Sequence, residues 1–187
     1  MMTAFRNITL TVAAAGVLML APVSEGIAAT ATTGTSAKLT SLENQVRHEL
    51  VMLPWLSVFD NLKFEVNGNE VILSGQVTRP VLKSDAAGVV RRITGVETVT
   101  NNIEVLPLSP FDDRIRLATY RAVYGFGSLN RYAMGTLPSI RIIVKNGNVT
   151  LEGVVNNEGD KTIANLRANQ VQGVFRVTND LRVDKNG

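Results

Sequence analysis

The chain has 187 residues, no cysteine, one histidine and a formal net charge of +3. These features exclude disulfide bonds, reduce any zinc site to His48 and carboxylates, and make basic character significant only where it is concentrated. Length and an ordinary apolar content suit one or two small folded domains rather than a disordered chain.

The N-terminus opens with MMTAFRN, which carries Arg6 and no acid, followed by the uncharged apolar run Ile8–Val23 and then small residues around Ala29 and Ala31. This order is that of a secretory signal peptide, and the apolar run is shorter than the ~20 residues a membrane-spanning helix needs. The sequence therefore predicts a cleaved signal peptide over 1–29, a flexible leader over 30–39 and a mature protein in the periplasm or another extracytoplasmic space. With no cysteine near the cleavage region, lipid modification of the N-terminus is excluded.

A first helix is expected from Thr40, which stands in capping-box spacing with Glu43, with Leu42, Val46 and Leu50 on one face and Pro54 as its stop. The alternating segment FEVNGNEVILSGQV predicts two strands around a turn at Asn67-Gly68. Thr78 and Pro80 open a second helix with Leu82, Ala86, Val89, Val90 and Ile93 inward, and Gly95 ends it. VETVTNNIEVL is the closing strand. After the short link LPLSPF the order recurs. A helix from Ser109-Pro110 is expected to place Phe111, Ile115, Ala118 and Ala122 on one face, strands turn at Asn146-Gly147, and a helix carrying Ile163, Ala164, Ala168 and Val171 stops at Gly173 before the last strand.

The recurrence is a duplication. Val66, Val71, Leu73 and Gly75 reappear as Val144, Val149, Leu151 and Gly153, and Gly95, Val96, Val99, Thr100 and Asn101 as Gly173, Val174, Val177, Thr178 and Asn179, all at an offset of 78. Two separated blocks at one spacing mark a repeated unit of about 70 residues. The fold class is α+β: two tandem αββαβ units, 40–106 and 109–184, each a three-stranded sheet with two helices on one face.

The V-x-L-x-G-x-V strands at Val71–Val77 and Val149–Val155, with the G-V-x-x-V-x-N-x-[IL]-x-V endings at Gly95–Val105 and Gly173–Val183, resemble the BON family (bacterial OsmY and nodulation domain). The resemblance spans almost all of the expected mature chain. It implies an αββαβ fold, an envelope location, binding to anionic phospholipid membranes and no enzymatic activity. The shared glycines and valines are fold positions and carry no ligand-binding role across.

Charge supplies an independent clue. From Arg114 to Leu151 every charged residue is positive: Arg114, Arg116, Arg121, Arg131, Arg141 and Lys145. Half of these on one surface would supply ~3 kcal/mol against an anionic membrane, a salt-sensitive attachment that needs apolar insertion beside it. The acid-free stretch Val123–Arg141 offers Tyr124, Phe126 and Tyr132 next to Arg131. It occupies the slot held by LPWLSVFDNLKF in the first copy, so two readings stand: a lid over the end of the sheet, or a lipid contact. The candidate lipid-binding set is thus Arg114, Arg116, Arg121, Tyr124, Phe126, Arg131, Tyr132, Arg141 and Lys145, with the second copy facing the membrane. An envelope protein is the rival partner. Nucleic acid is discounted on location. No motif for a metal or cofactor is present, His48 reads as a solvated helix residue, and an enzyme is the third reading behind membrane binding and an interaction module.

Overall fold

The computed structural model describes residues 28–135 and 137–184, with side chains from residue 38 onward. The predicted signal peptide lies, through residue 27, outside the described residues. Helix α1 spans Ala28–Val51, so the stretch 30–39 expected as a flexible leader is helical. Lengthening an existing helix fixes one residue per hydrogen bond and avoids the cost of a new nucleus, which is why Thr40 does not begin it. Leu42, Val46 and Leu50 are buried as the period requires.

In the first unit β1 (Asn61–Asn67) pairs antiparallel with β2 (Glu70–Val77), and α2 (Pro80–Arg91) leads to β3 (Thr98–Asn101) and β4 (Glu104–Val105), both parallel to β2. In the second, α3 (Pro110–Tyr124) precedes the antiparallel pair β5 (Ile140–Lys145) and β6 (Asn148–Val155), and α4 (Glu158–Asn169) leads to β7 (Arg176–Val183), parallel to β6. The helices of each unit pack on one face of its sheet. Alternation puts Val71, Leu73 and Val77 inward in one unit and Val149, Leu151 and Val155 in the other. The closing strand expected to be continuous is split in the first unit, where residues 102–103 leave the ladder.

The repeated residues have repeated duties. Gly75 and Gly153 have φ of +105° and +126°, and a Cβ on either would sit 1.9 Å from the carbonyl oxygen of Asn61 or Ser139. Only glycine lets the hairpin's first strand approach this closely. The Asn101 side-chain amide donates to the Lys83 carbonyl and its oxygen accepts from Ile103 N–H; Asn179 does the same with Lys161 and Leu181. Each asparagine thereby ties the second helix of its unit to the last strand. The hairpin turns are not repeated. Asn146 and Gly147 both have positive φ, whereas the first turn is centred on Gly68-Asn69 rather than Asn67-Gly68, with positive φ only at Gly68. The glycine stands one position earlier in the first copy, and the turn type follows it.

The two cores are joined by one segment. Val58, from the first unit, is buried in the core of the second, beside Tyr124 and Ile140. Its carbonyl accepts a 2.9 Å hydrogen bond from Ile142 N–H on β5, and the ring of Phe59 meets that of Tyr120 edge-on at 6.3 Å. Asp60, 1% exposed, holds this segment in shape. It accepts from Ser57 N and Oγ at 2.9 and 2.6 Å, and from Thr78 N and Oγ1 at 2.6 and 2.8 Å.

Asp60→Ala leaves those buried donors without their acceptor and is expected to lower stability by ~3 kcal/mol, read from urea unfolding followed by circular dichroism. Gly75→Ala and Gly153→Ala combine a backbone clash with forced positive φ, and each is expected to cost ~3 kcal/mol or more in the same assay; Gly127→Ala, where a Cβ meets open space, is the control.

Candidate functional site

The nine residues singled out in the sequence separate by depth. Arg116, Tyr124 and Tyr132 are buried, which corrects their expected place at a lipid surface. The buried stripe of α3 is Asp112, Ile115, Arg116, Thr119 and Val123, not the Phe111–Ile115–Ala118–Ala122 face expected from apolar spacing. The charged members of the stripe have defined partners. Asp112 accepts from Asn146 N–H and Gly147 N–H at 2.9 and 2.8 Å, clasping the β5–β6 turn. Arg116 donates to the Val144 carbonyl at 2.8 Å and pairs with Asp113.

The aromatic lid has the same logic. The Tyr124 hydroxyl donates to the Ile140 carbonyl, and burial pushes its pKa well above the ordinary tyrosine value. Tyr132 donates to Asp160 at 2.6 Å and accepts from Asn156 N–H at 2.9 Å; burial first, then the hydrogen bond to Asp160, raises its pKa. Of the two readings of Val123–Arg141, the lid accounts for Tyr124, Leu129 and Tyr132. Arg141 is half-buried between the units, donating to the Ser57 carbonyl at 3.3 Å, and burial lowers its pKa against the favourable fields of Tyr124 and Asp60.

Five of the nine are exposed: Arg114, Arg121, Phe126, Arg131 and Lys145. Arg131 pairs with Asp160 at 3.2 Å and Lys145 with Glu104 of the first unit. Arg114 and Arg121 lie on the outer face of α3, where Phe111 and Leu117 are also exposed. The positions 111, 114, 117 and 121 follow the helical period, giving one stripe of alternating apolar and basic side chains. The Arg114 guanidinium lies 5.9 Å from the centre of the Phe111 ring, and Phe175, 74% exposed, extends the patch with its ring 6.0 Å from that of Phe111. Phe126 follows the end of the helix, with Arg167 5.4 Å over its ring. The stripe is thus amphipathic, with cations set beside aromatic rings.

Phe111, Leu117 and Phe175 were missed as surface residues. The repeat held a signal for Phe175, because copy one has Glu97 and Thr98 where copy two has Phe175 and Arg176. His48 lines an open cleft of about 1100 Å³ between α1 and α2 with Glu49 and Arg92. Among the described residues no cluster of metal-ligating side chains occurs, and no helix is long and apolar enough to cross a membrane.

Comparison with known proteins places this geometry in context. The family model described as BON domain matches residues 38–107 and 132–185. No curated protein matches the chain. Among solved structures, CdsD, a structural protein of the type III secretion system of Chlamydia trachomatis, is similar at 15% identity and a TM-score of 0.30, covering 79% of this chain and 95% of that one. Its C-terminal domain gives 14% identity and a TM-score of 0.28, covering 77% and 98%. At these scores the likeness decides nothing about this chain.

The buried tyrosines make stability pH-dependent on the alkaline side. Their folded pKa values exceed the unfolded value of ~10, so their contribution is full below that pH and falls as pH rises toward the folded values. Urea midpoints should therefore drop above roughly pH 10, and Tyr124→Phe should flatten that drop; an unchanged slope would show that Tyr124 does not contribute to it.

Proposed function

Because the chain belongs to the BON domain family, with one matched segment in each folded unit, we propose that it binds anionic phospholipid surfaces in the cell envelope through the outer face of α3. The family is a phospholipid-binding one associated with the envelope and osmotic stress, its members are typically periplasmic or envelope-associated, and it is generally non-enzymatic. Within that frame the reading for this chain is a non-catalytic periplasmic protein that supports envelope integrity. The observation that carries the reading is the stripe Phe111, Arg114, Leu117 and Arg121, continued by Phe175.

The energetics suit reversible attachment. Each arginine near an anionic leaflet contributes ~1 kcal/mol within a Debye length, and exposed aromatic rings add a smaller apolar insertion at the headgroup boundary. Neither is enough alone. Together they describe a protein that samples the membrane surface, with affinity set by lipid charge and ionic strength.

Co-sedimentation with vesicles of mixed anionic and zwitterionic phospholipid tests this. Arg114→Glu with Arg121→Glu is expected to weaken binding by on the order of 30-fold or more, whereas Arg91→Glu with Arg92→Glu at the end of α2 should change it little. Salt should weaken wild-type binding. Equal, salt-insensitive binding to purely zwitterionic vesicles would overturn the electrostatic mechanism, and equal sensitivity to the two pairs of substitutions would overturn the assignment to α3.

A further inference from the structure

The two hairpins begin with equivalent edge strands whose outer edges are treated differently. A two-residue turn makes its flanking residues a hydrogen-bonded pair, so Lys145, Ile143 and Arg141 of β5 point their main-chain groups at β6 and Ile140, Ile142 and Val144 point theirs outward. On β5 three of the six outward groups have partners. The Tyr124 hydroxyl takes the Ile140 carbonyl, Val58 takes Ile142 N–H, and Arg116 takes the Val144 carbonyl. By the same turn geometry Leu62, Phe64 and Val66 point outward from β1. No described residue bonds to them. The strand borders a cleft of about 930 Å³ flanked by Glu43 and Arg47 of α1 and by Glu152, Asp180 and Arg182 of the second unit.

An open edge is a template for another strand. The sequence of this one, NLKFEVN, reads as its own complement when reversed. Set antiparallel to a second β1 about Phe64, it places Phe64 opposite Phe64, Leu62 opposite Val66, Asn61 opposite Asn67 and Lys63 opposite Glu65. All seven residues pair, core-facing residues stay on one face, and each charge meets its opposite. Pairs of this kind stabilise a ladder, and about six outward main-chain groups on each strand find partners. The other edges lack this property. The β3–β4 edge is interrupted, and β7 paired with itself over its full length sets Arg176 against Val183 and Arg182 against Val177. We propose that β1 pairs with β1 of a second copy of this chain, joining the sheets of two first units across a two-fold axis at Phe64.

Lys63 also reaches Glu152 in its own chain at 2.7 Å, but it is half exposed, and a pair of this kind is worth too little to hold it there. Glu65 is exposed and has no partner among the described residues.

The test uses the full chain, expressed and purified, in sedimentation equilibrium across the micromolar range, with cross-linking as a register probe. The chain has no cysteine, so introduced thiols are unambiguous. Positions 63 and 65 would form a non-hydrogen-bonded pair, the closest approach in an antiparallel ladder. Oxidation of a mixture of Lys63→Cys and Glu65→Cys chains should give a disulfide-linked dimer, while either variant alone should not. Glu65→Lys should weaken dimerisation at least tenfold by opposing two lysines in each half of the interface. A monomer at every concentration with no cross-link in the mixture overturns the proposal. So does a dimer that is indifferent to Glu65→Lys or cross-links out of register. Amides of Leu62, Phe64 and Val66 that become protected from hydrogen exchange only on addition of envelope extract would give the edge to a different partner and equally overturn it.

Discussion

The Asp60 carboxylate is the constraint on which the arrangement of the two units depends. Its four hydrogen bonds fix residues 57–60 as a rigid corner between α1 and β1. That corner carries Val58 into the other unit's core and offers its carbonyl to Ile142 on the outer edge of β5. A buried carboxylate is costly unless its acceptors are filled, and here both oxygens are satisfied by groups from two places in the same unit. The first unit thus organises its own connection and completes the second with one feature.

Completion of β5 explains why copy two departs from copy one. A second unit docked at this edge needs its outward carbonyls covered, and α3 supplies the cover from within through Arg116 and Tyr124. Using charged and aromatic side chains for this purpose takes them off the surface, and the outward side of the same helix is left to Phe111, Arg114, Leu117 and Arg121. The partly covered edge and the amphipathic face are therefore two sides of one helix. In copy one, α1 meets β1 through the Arg47 side chain, 5.6 Å over the ring of Phe64, and the edge itself stays open.

The acid-free stretch between α3 and β5 has a divided role that its composition did not announce. Tyr124, Leu129 and Tyr132 are core residues whose hydroxyl groups, where present, bond to Ile140 and Asp160. Arg131 neutralises Asp160 at the start of α4, and Arg141 lies at the junction of the units. The excess of positive charge along the chain is in large part consumed by local partners, so the membrane reading moves from the loop to the helix before it.

Much was legible from residue order. The duplication, the αββαβ order, the inward faces of α1 and α2, and the glycines at 75 and 153 followed from period and spacing, because local backbone demands and alternation act over a few residues. Gly95 and Gly173, expected to end α2 and α4, instead stand four residues beyond helices that stop at Arg91 and Asn169, so that Ile93 and Val171 fall in the turns that follow. The inner face of α3 was not legible. Asp112 and Arg116 look like surface residues until Asn146, Gly147 and Val144, some thirty positions later, are folded against them. The destination of Val58 was equally hidden, since a valine in a loop says nothing of which core it enters. Sequence by itself determined the two units and their internal architecture, for which hydrophobic period and turn chemistry suffice. Only the tertiary structure decided which charges are spent on buried partners and which remain for a surface, because that choice is made by contacts between residues far apart in the chain.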